Sequence, residues 1–241
     1  MTRILVLNGN TTQAVTDRIA EAARAAAPAG ATTEAVTAPF GLPLIVTRAD
    51  WLLSGPPILE ALAARRGSYD AAVIAVFGDP ALDAAKLLLD VPVIGISEAA
   101  FHAAAMLGRR FGIVSFTAAL RPMFEDCLDH HGLRARCAGF RMGPTDATYP
   151  AQLGAAETAQ LLALIDQSIA EDGAEAVILA GGPLAGLAAM LQPSVGVPLV
   201  DGTVAAVRMA AALAGMPRPQ RPRPARPLSG YGAEVTSLYG A

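Results

Sequence analysis

Short apolar runs rich in β-branched residues alternate with longer amphipathic or Ala-rich stretches along most of the chain. The first run, Arg3–Leu7, is followed by Thr11–Ala27, in which Ile19 and Ala22 fall on one helical face. Short strands that alternate with helices are typical of a parallel sheet covered by helices. The pattern therefore predicts an α/β protein.

The same alternation continues to about residue 214, with each predicted strand followed by a predicted helix. The further strands are predicted at Val73–Phe77, Val91–Ile96, Phe111–Phe116, Val177–Ala180 and Val197–Val200. The helices that follow them are predicted at Pro80–Leu89, Glu98–Leu107, Ala118–His131, Leu184–Leu191 and Val204–Ala214.

The second half of the chain repeats the first. The stretch VIAVFGDPALDAAKLLLDVPVIGISEAAFHAAAMLG matches VILAGGPLAGLAAMLQPSVGVPLVDGTVAAVRMAAALAG in its order of strand, Gly/Pro turn, short helix, Val-Pro strand and Ala-rich helix. An offset of roughly 105 residues indicates two duplicated lobes, because solenoids repeat at shorter periods.

We assign 1–110 and 200–215 to a first lobe and 111–199 to a second, each with a mainly parallel sheet flanked by helices. Open α/β sheets bind ligands beyond the carboxyl ends of their strands. The cleft between the lobes is therefore expected to be lined by the turns that follow the strands.

The segment 216–241 is a Pro/Arg-rich tail. Within it, Met216–Pro227 is expected to be an extended polyproline II arm that lies on the surface or on a neighbouring subunit. A docking site for a partner domain and an anion-gathering patch are the alternatives.

The composition excludes several classes of protein. Apolar residues make up 53% of the chain and the formal net charge is −3, which excludes a disordered chain and argues against a general nucleic-acid binder. Two cysteines in 241 residues exclude a disulfide scaffold. No apolar run is long enough to span a membrane, and the one before Asn8 is too short for a secretory signal. We therefore expect a cytoplasmic protein.

Two of the turns after predicted strands carry polar side chains that can serve the cleft. In the first turn, the amide of Asn8 can donate to and accept from a carboxylate or a cyclic amide, and Asn10 or Thr11 can cap the next helix. In the turn after Phe111–Phe116, the hydroxyl groups at the strand end can either serve the cleft or cap the following helix.

Two further turns combine glycine with proline. Gly78 lets a ligand approach the backbone, and Asp79 before Pro80 is expected to cap the helix that follows, with an acid/base role as the alternative. The equivalent turn in the second half is Gly181-Gly182-Pro183. Its backbone amides are arranged as an anion or oxyanion site requires.

The segments ILVLNGNTT, VIAVFGDPALDAAK, VPVIGISEAAFHAAAMLG, RFGIVSF, EDGAEAVILAGG and VPLVDGTVAAV resemble the Asp/Glu/hydantoin racemase superfamily, nearest its hydantoin and allantoin racemase branch. The resemblance extends from Arg3 to about Gly215. It implies two pseudo-symmetric α/β lobes, no cofactor, a homo-oligomer, and an inter-lobe site for a small carboxylate or cyclic ureide.

In that family one cysteine follows each of the two central strands, and the pair exchanges the substrate α-proton from opposite faces. Where the resemblance places these cysteines, the present sequence has Val76 and Gly181. Cys127 and Cys137 lie elsewhere and are expected to be inert buried thiols. A two-thiol racemase mechanism is therefore not expected.

Other groups must then act if the protein is an enzyme. The candidate catalytic residues are Asp79, Thr117 and His102, with Glu98, Tyr149 and Asp201 as further acid/base candidates. His102 can also form a buried structural pair with Glu98, one turn earlier. His130 and His131 are expected to close a surface helix. No group of His, Cys and Asp has metal-ligand spacing, so no metal site is expected.

The residues expected to contact the substrate are Asn8, Asn10, Val76, Phe77, Gly78, Ser115, Thr117, Gly181, Gly182 and Pro183. The first functional hypothesis is a cofactor-independent enzyme that acts on a small cyclic ureide or carboxylate. Its isomerase, lyase or hydrolase chemistry would use no cysteine, and the amides of the three glycines would stabilise an enolate-like oxyanion. The alternative is a non-catalytic binder that has lost racemase activity.

Overall fold

The computed structural model describes residues 1–144, 154–216 and 226–239, and their strands form two four-stranded parallel sheets. In the first sheet, β1 (Thr2–Asn8), β2 (Ala31–Thr37), β3 (Ala71–Ile74) and β4 (Val93–Gly95) have the order β2-β1-β3-β4. In the second, β5 (Phe111–Ser115), β6 (Cys137–Met142), β7 (Ala176–Leu179) and β8 (Leu199–Asp201) have the order β6-β5-β7-β8. The two-lobe α/β fold predicted from the repeat is confirmed.

Helices cover both sheets. They are α1 (Gln13–Ala26), α2 (Arg48–Leu53), α3 (Gly55–Ala64), α4 (Leu82–Leu88), α5 (Ile96–Leu107), α6 (Arg121–His130), α7 (Ala155–Ala170), α8 (Leu187–Leu191), α9 (Gly202–Leu213) and α10 (Ala233–Leu238). Short 3-10 turns lie at Ala118–Leu120, Arg134–Arg136, Gly182–Leu184 and Gln192–Ser194. Over the described ranges, every helix is too short or too polar to cross a bilayer.

The layer between the two sheets is built largely from alanine. Helix α5 follows β4 of the first sheet but packs against β7 of the second, and α9 follows β8 but packs against β3 and α1. The two helices also pack on each other, and both contain buried small residues such as Ala100 and Ala210. Small side chains let the two helix backbones approach closely. Because α5 packs on the second sheet and α9 on the first, each lobe contributes a helix to the core of the other. Helix α9 packs on β3 of the first lobe, to which 200–215 is assigned, but Val200 and Asp201 of that range pair with β7 in the second sheet.

Aromatic side chains fill the remaining space in this core. Phe101 of α5 stacks on Phe111 of β5 with ring centroids 6.0 Å apart. Phe77, which follows β3, meets the edge of Phe124 of α6 at 5.4 Å. Burying one such side chain contributes roughly 1.5–3 kcal/mol, so these contacts fix how the turns of one lobe face the other.

Helices α6 and α8 begin three residues later than the sequence pattern indicates. The stretch Ala118–His131 starts as a 3-10 turn, and α6 begins only at Arg121, with Pro122 in its first turn. The stretch Leu184–Leu191 is interrupted at Gly186, whose φ of 86° is left-handed, and α8 begins after it. Glycine adopts this conformation at little cost, so the backbone turns there instead of continuing the helix.

The C-terminal tail ends in structure. Within the part of the tail that is described, Val235 and Leu238 of α10 are buried, and this helix packs against α3 of the first lobe. The segment that follows the predicted arm thus packs on the first lobe. Most of the predicted polyproline II segment Met216–Pro227, and the candidate Tyr149, lie outside the described residues.

Candidate functional site

Turns from both lobes enclose a narrow cavity of about 30 Å³. Its lining includes six of the residues predicted to contact substrate: Asn10, Val76, Phe77, Gly181, Gly182 and Pro183. The other lining residues are Leu44, Ile45, Ala75, Phe116 and Leu120. None of these has an ionisable side chain. The turns after β1, β3, β5 and β7 thus meet in one apolar, amide-lined space, where parallel sheets generally bind ligands.

The first of these turns is organised by Asn8, which is fully buried. Its side-chain Nδ2 donates to Asn10 Oδ1 at 2.9 Å and to Thr16 Oγ1 at 2.9 Å, and its Oδ1 accepts from the backbone N–H of Asn10 at 3.2 Å. Asn8 therefore holds the turn against α1 and lies behind the cavity wall. Asn10 Oδ1 also accepts from the N–H of Thr12 at 2.9 Å. The Nδ2 of Asn10 has no hydrogen-bond partner among the described residues, so it is the group this turn can offer to a ligand.

The hydroxyl groups after β5 also serve the backbone. Ser115 Oγ donates to the carbonyl of Ala180 at 2.6 Å, which joins the ends of the two central strands of the second sheet. Thr117 is buried, and its hydroxyl accepts from the N–H of Ala119 at 3.3 Å, which caps the 3-10 turn. Both residues are predicted to contact substrate, but the structure places neither in the lining of the cavity.

The glycine turn after β7 comes close to the first lobe. Gly181 has a φ of 135°, which only glycine adopts without strain, and its N–H and that of Gly182 donate to no described residue. Across the interface, Arg18 of α1 donates through Nη1 to the carbonyl of Pro183 at 2.7 Å. The turn thus lines the cavity with two residues whose N–H groups have no described acceptor, and a side chain of the other lobe holds it there.

Asp79 caps a different helix from the one predicted. Its Oδ1 accepts from the N–H of Ser97 at 2.9 Å and its Oδ2 from the N–H of Glu98 at 2.7 Å, so it caps the N-terminus of α5. Its own helix, α4, begins only at Leu82, because Asp79 and Ala81 both have positive φ. The prediction that Asp79 caps the following helix is wrong, since the turn directs its carboxylate towards a helix later in the chain.

Gly78 does not supply an oxyanion donor either. Its N–H donates to Ser97 Oγ at 2.7 Å, and its carbonyl accepts from Trp51 Nε1 at 2.7 Å. Both backbone groups of Gly78 are therefore occupied. The oxyanion role predicted for its amide is wrong, and Gly181 and Gly182 are the two glycines that keep their N–H groups available.

Comparison with known proteins identifies the family of the chain. The family model for Asp/Glu/hydantoin racemase matches residues 4–210. The chain belongs to the Asp/Glu/hydantoin racemase family. A hydantoin racemase of Pseudomonas sp. (strain NS671) is 35% identical over 86% of this chain and 84% of its own length. A hydantoin racemase of Paenarthrobacter aurescens is 34% identical over 89% and 92%. The solved structure of allantoin racemase from Klebsiella pneumoniae superimposes with a TM-score of 0.86 at 33% identity, covering 99% of each chain.

Two other candidates of this racemase-family chain have structural roles away from the cavity. His102 is exposed, and its Nδ1 contacts the backbone carbonyl of Glu98 at 2.7 Å. The Glu98 carboxylate pairs with Lys86 instead. The predicted buried pair of His102 with Glu98 is therefore wrong, because Lys86 on the neighbouring helix takes the carboxylate.

Asp201 is a second helix cap. Its carboxylate accepts from the N–H groups of Thr203 at 2.8 Å and Val204 at 3.1 Å, and from Gly186 across the turn before α8. Burial raises the pKa of Asp201, while these backbone hydrogen bonds act in the opposite direction. Asp201 thus fixes the start of α9 and is absent from the cavity lining.

A larger cavity of about 500 Å³ lies on the other side of the Gly78–Asp79 turn, between α2, α4 and α6. Its lining consists of Arg48, Trp51, Leu52, Gly78, Asp79, Ala81, Leu82, Asp83, Ala84, Met123, Asp126, Cys127, His130 and His131. Helix α6 ends at His130 and His131 as predicted, but the side chain of His131 is only 8% exposed, so its predicted surface position is wrong. The structure brings Asp79 next to Cys127 and His131, which their spacing in the sequence does not indicate.

The two thiols are expected to react slowly in the native state. Burial raises the pKa of Cys137 to about 11, and burial together with the neighbouring Asp79 raises the pKa of Cys127 further. Since the thiolate is the nucleophile, the reaction of Cys137 with Ellman's reagent at pH 8 should be roughly a hundredfold slower than that of a free thiol. In urea both cysteines should react at the rate of free cysteine, and comparable native and unfolded rates would contradict the burial of the two thiols.

Proposed function

We propose that the protein is a cofactor-independent enzyme that acts on a small cyclic ureide or carboxylate through isomerase, lyase or hydrolase chemistry without a thiol pair. The observation that carries the proposal is the meeting of Val76 and Gly181 in one cavity. The resemblance to the family places its two catalytic cysteines at these positions. The cavity that Val76 and Gly181 line contains no thiol. The hydantoin and allantoin racemases to which the chain is similar support the substrate class.

The polar groups of the cavity match the oxygen atoms of such a ring. Asn10 Nδ2 and the N–H groups of Gly181 and Gly182 are donors without described partners, and a ureide or carboxylate offers several acceptors. The side chains of Val76 and Phe77 supply apolar surface for the ring. Each of these donors can therefore pair with an acceptor of the bound ring, and a typical hydrogen bond contributes about 0.5–1.5 kcal/mol.

Substrate entry requires the cavity to open. A volume of about 30 Å³ is about a tenth or less of the roughly 300–1,000 Å³ typical of ligand pockets. The cavity wall at Leu44 and Ile45 belongs to the segment before α2. Two hydrogen bonds hold this segment to the first turn. The N–H of Thr11 donates to the carbonyl of Leu42 at 2.9 Å, and Thr12 Oγ1 donates to the carbonyl of Pro43 at 2.6 Å. We infer that this segment moves when a ring binds.

The chemistry that such a lining supports is stabilisation of developing negative charge. Backbone amides aimed at an oxyanion in a dry site typically contribute 10²–10³-fold each in rate, about 2.7–4 kcal/mol. With no ionisable side chain in the lining, proton transfer falls to bound water or to the substrate itself. Removal of a proton from one face and its return from the other is therefore disfavoured.

A screen of the full chain tests this proposal. Chiral hydantoins, allantoin, aspartate, glutamate and substituted malonates are incubated with it in D₂O, and both product formation and α-proton exchange are followed by NMR. We expect turnover of at least one cyclic ureide or malonate. Exchange of the α-proton should be much slower than a racemase would give. An Asn10→Ala variant should raise KM, whereas Thr236→Ala on α10 should not. Rapid exchange at the α-carbon would overturn the thiol-free chemistry.

The alternative is a binding protein that has kept the pocket and lost turnover. The observation in its favour is the absence of an ionisable side chain from the lining of the small cavity. Calorimetry on the same compounds separates the two functions. Tight binding without product from any compound assigns the binder, and turnover assigns the enzyme.

Cytoplasmic location and homo-oligomeric assembly stay predictions from the sequence. Light scattering on the purified chain measures the second of these directly. We also expect no binding to nucleic acid, in line with the net charge of −3.

A further inference from the structure

We propose that Asp79, Cys127 and His131 bind one divalent transition-metal ion, such as Zn²⁺, at the edge of the larger cavity. The three side chains come from two places in the chain. Cys127 and His131 are one helical turn apart at the end of α6, and Asp79 lies in the turn after β3. This site is separate from the small cavity, so the inference stands independently of the proposed function.

The distances between the donor atoms suit a tetrahedral ion. Asp79 Oδ2 lies 3.4 Å from His131 Nε2 and 3.8 Å from Cys127 Sγ. All three donor atoms lie within 4.8 Å of one another. Zinc bonds of 2.0–2.3 Å at tetrahedral angles place ligand atoms about 3.3–3.7 Å apart. Two of the three edges are therefore close to the required length, and the third, between Cys127 Sγ and His131 Nε2, is no longer than 4.8 Å.

His131 provides an independent reason to expect a ligand here. Its side chain is 8% exposed, and its Nε2 is buried without a hydrogen-bond partner among the described residues. The separation from Asp79 Oδ2 falls within ion-pair range, but the hydrogen-bond geometry is not met. A buried polar atom left unpaired costs about 1–3 kcal/mol. A metal ion between the imidazole and the carboxylate satisfies it.

The charges at the site also favour a cation. The Asp79 carboxylate already accepts two backbone N–H groups and retains lone pairs on both oxygens, since a carboxylate offers about four acceptor sites. A Cys127 thiolate beside it would add a second negative charge in a buried place. A divalent ion compensates both charges, and the Cys127 thiol releases its proton to solvent as the sulfur–metal bond forms.

Three protein ligands leave one coordination position open. Asp79, Cys127 and His131 all line the cavity of about 500 Å³, whose walls include Trp51 and Met123. Metal sites with three protein ligands usually hold water or a small anionic or nitrogen-donor ligand in the fourth position. The cavity gives such a ligand room and an apolar wall.

A titration with Co²⁺ tests the site. The full chain, stripped of metal and reduced, is titrated with Co²⁺, which gives a sulfur-to-cobalt charge-transfer band in the near ultraviolet when a thiolate is bound. We expect one Co²⁺ per chain, with this band present and abolished by added Zn²⁺. Binding without the band, or no stoichiometric binding, would overturn the proposal.

The chain offers matched controls for both ligands of α6. Cys127→Ser should remove the band and His131→Gln should weaken binding at least 100-fold, more than the 10–100-fold typical of residues behind the ligands. The controls Cys137→Ser and His130→Gln, one on β6 and one adjacent on α6, should leave stoichiometry and band unchanged. A band that survives Cys127→Ser, or disappears in Cys137→Ser, would refute the assignment. If Cys127→Ser does not fold, Cys127→Ala takes its place. The band should be present in the wild-type chain and absent from Cys127→Ala.

Discussion

Placing cysteine at both Val76 and Gly181 is expected to accelerate exchange of the α-proton of a hydantoin at least 100-fold over the wild-type chain. The two positions line the same small cavity. A positioned proton-transfer group typically contributes 10²–10⁴-fold, and a thiol has a pKa near the working pH. The double variant therefore supplies the two groups that the wild-type lining lacks.

The two substitutions differ in their structural cost. Val76 is buried, and cysteine is smaller, so that change should cost about 1 kcal/mol. Gly181 has a φ of 135°, and a Cβ there would lie 3.1 Å from Cε1 of Phe116. Strain of this kind costs about 1–3 kcal/mol. The free energy of unfolding of the double variant should fall accordingly, which a urea titration measures.

Exchange is followed by NMR in D₂O on chiral hydantoins and allantoin. The Val76→Ser, Gly181→Ser variant carries similar volume and strain without a thiol, and it should show no gain. Val76→Cys alone offers a base on one face and should exchange the proton without racemising efficiently. A folded double variant with the exchange rate of the serine control would show that these positions do not correspond to the catalytic cysteines of the family.

Loss of the Asp79 carboxylate is expected to lower the free energy of unfolding by about 3 kcal/mol. Asp79 is buried, and its two oxygens accept from the first N–H groups of α5. A helix cap contributes about 1 kcal/mol and hydrogen bonds to a charged acceptor about 1.5–3. Because α5 packs between the two sheets, loss of the cap at its N-terminus affects the core of both lobes.

Urea unfolding of metal-free protein checks this value, with Asp79→Ala as the variant. Asp79→Asn keeps one acceptor oxygen and tolerates a positive φ, so it should lose about half as much. Asp83→Ala, on the adjacent helix with a side chain 71% exposed, should stay within ~0.5 kcal/mol of wild type. A loss in Asp79→Ala no larger than that of Asp83→Ala would mean that the cap contributes little to stability.

The sequence pattern locates the central strands β1 and β5 better than β3, which is predicted at Val73–Phe77 and lies at Ala71–Ile74. The predicted bounds of β1 and β5 differ from the observed ones by no more than one residue, because such strands are continuous apolar runs. The edge strand β2 has the sequence ATTEAVT and is mostly half-exposed, so it gives no such run and was not predicted. Its pairing with β1 depends on the neighbouring strand instead of its own composition.

The sequence predicts some residues of the site and not others. The residues that follow strands directly, such as Val76 and Gly181, are brought to the cavity by the strand ends alone. The partners of Asp79 are not local, since Ser97 lies 18 residues away and Cys127 lies 48 residues away. No periodicity encodes these contacts. The same is true of His131, which becomes buried because Phe101 of α5 packs beside its ring.

The exchange of α5 and α9 between the lobes has a consequence for how the chain folds during synthesis. The first sheet is complete once β4 has formed at Gly95, but α9, which covers β3, is made only after residue 202. The nascent first lobe therefore leaves the ribosome with an apolar surface uncovered for roughly 100 residues of elongation, about 5–20 s at typical rates. A fragment that ends near residue 110 should accordingly aggregate and not accumulate as a folded domain.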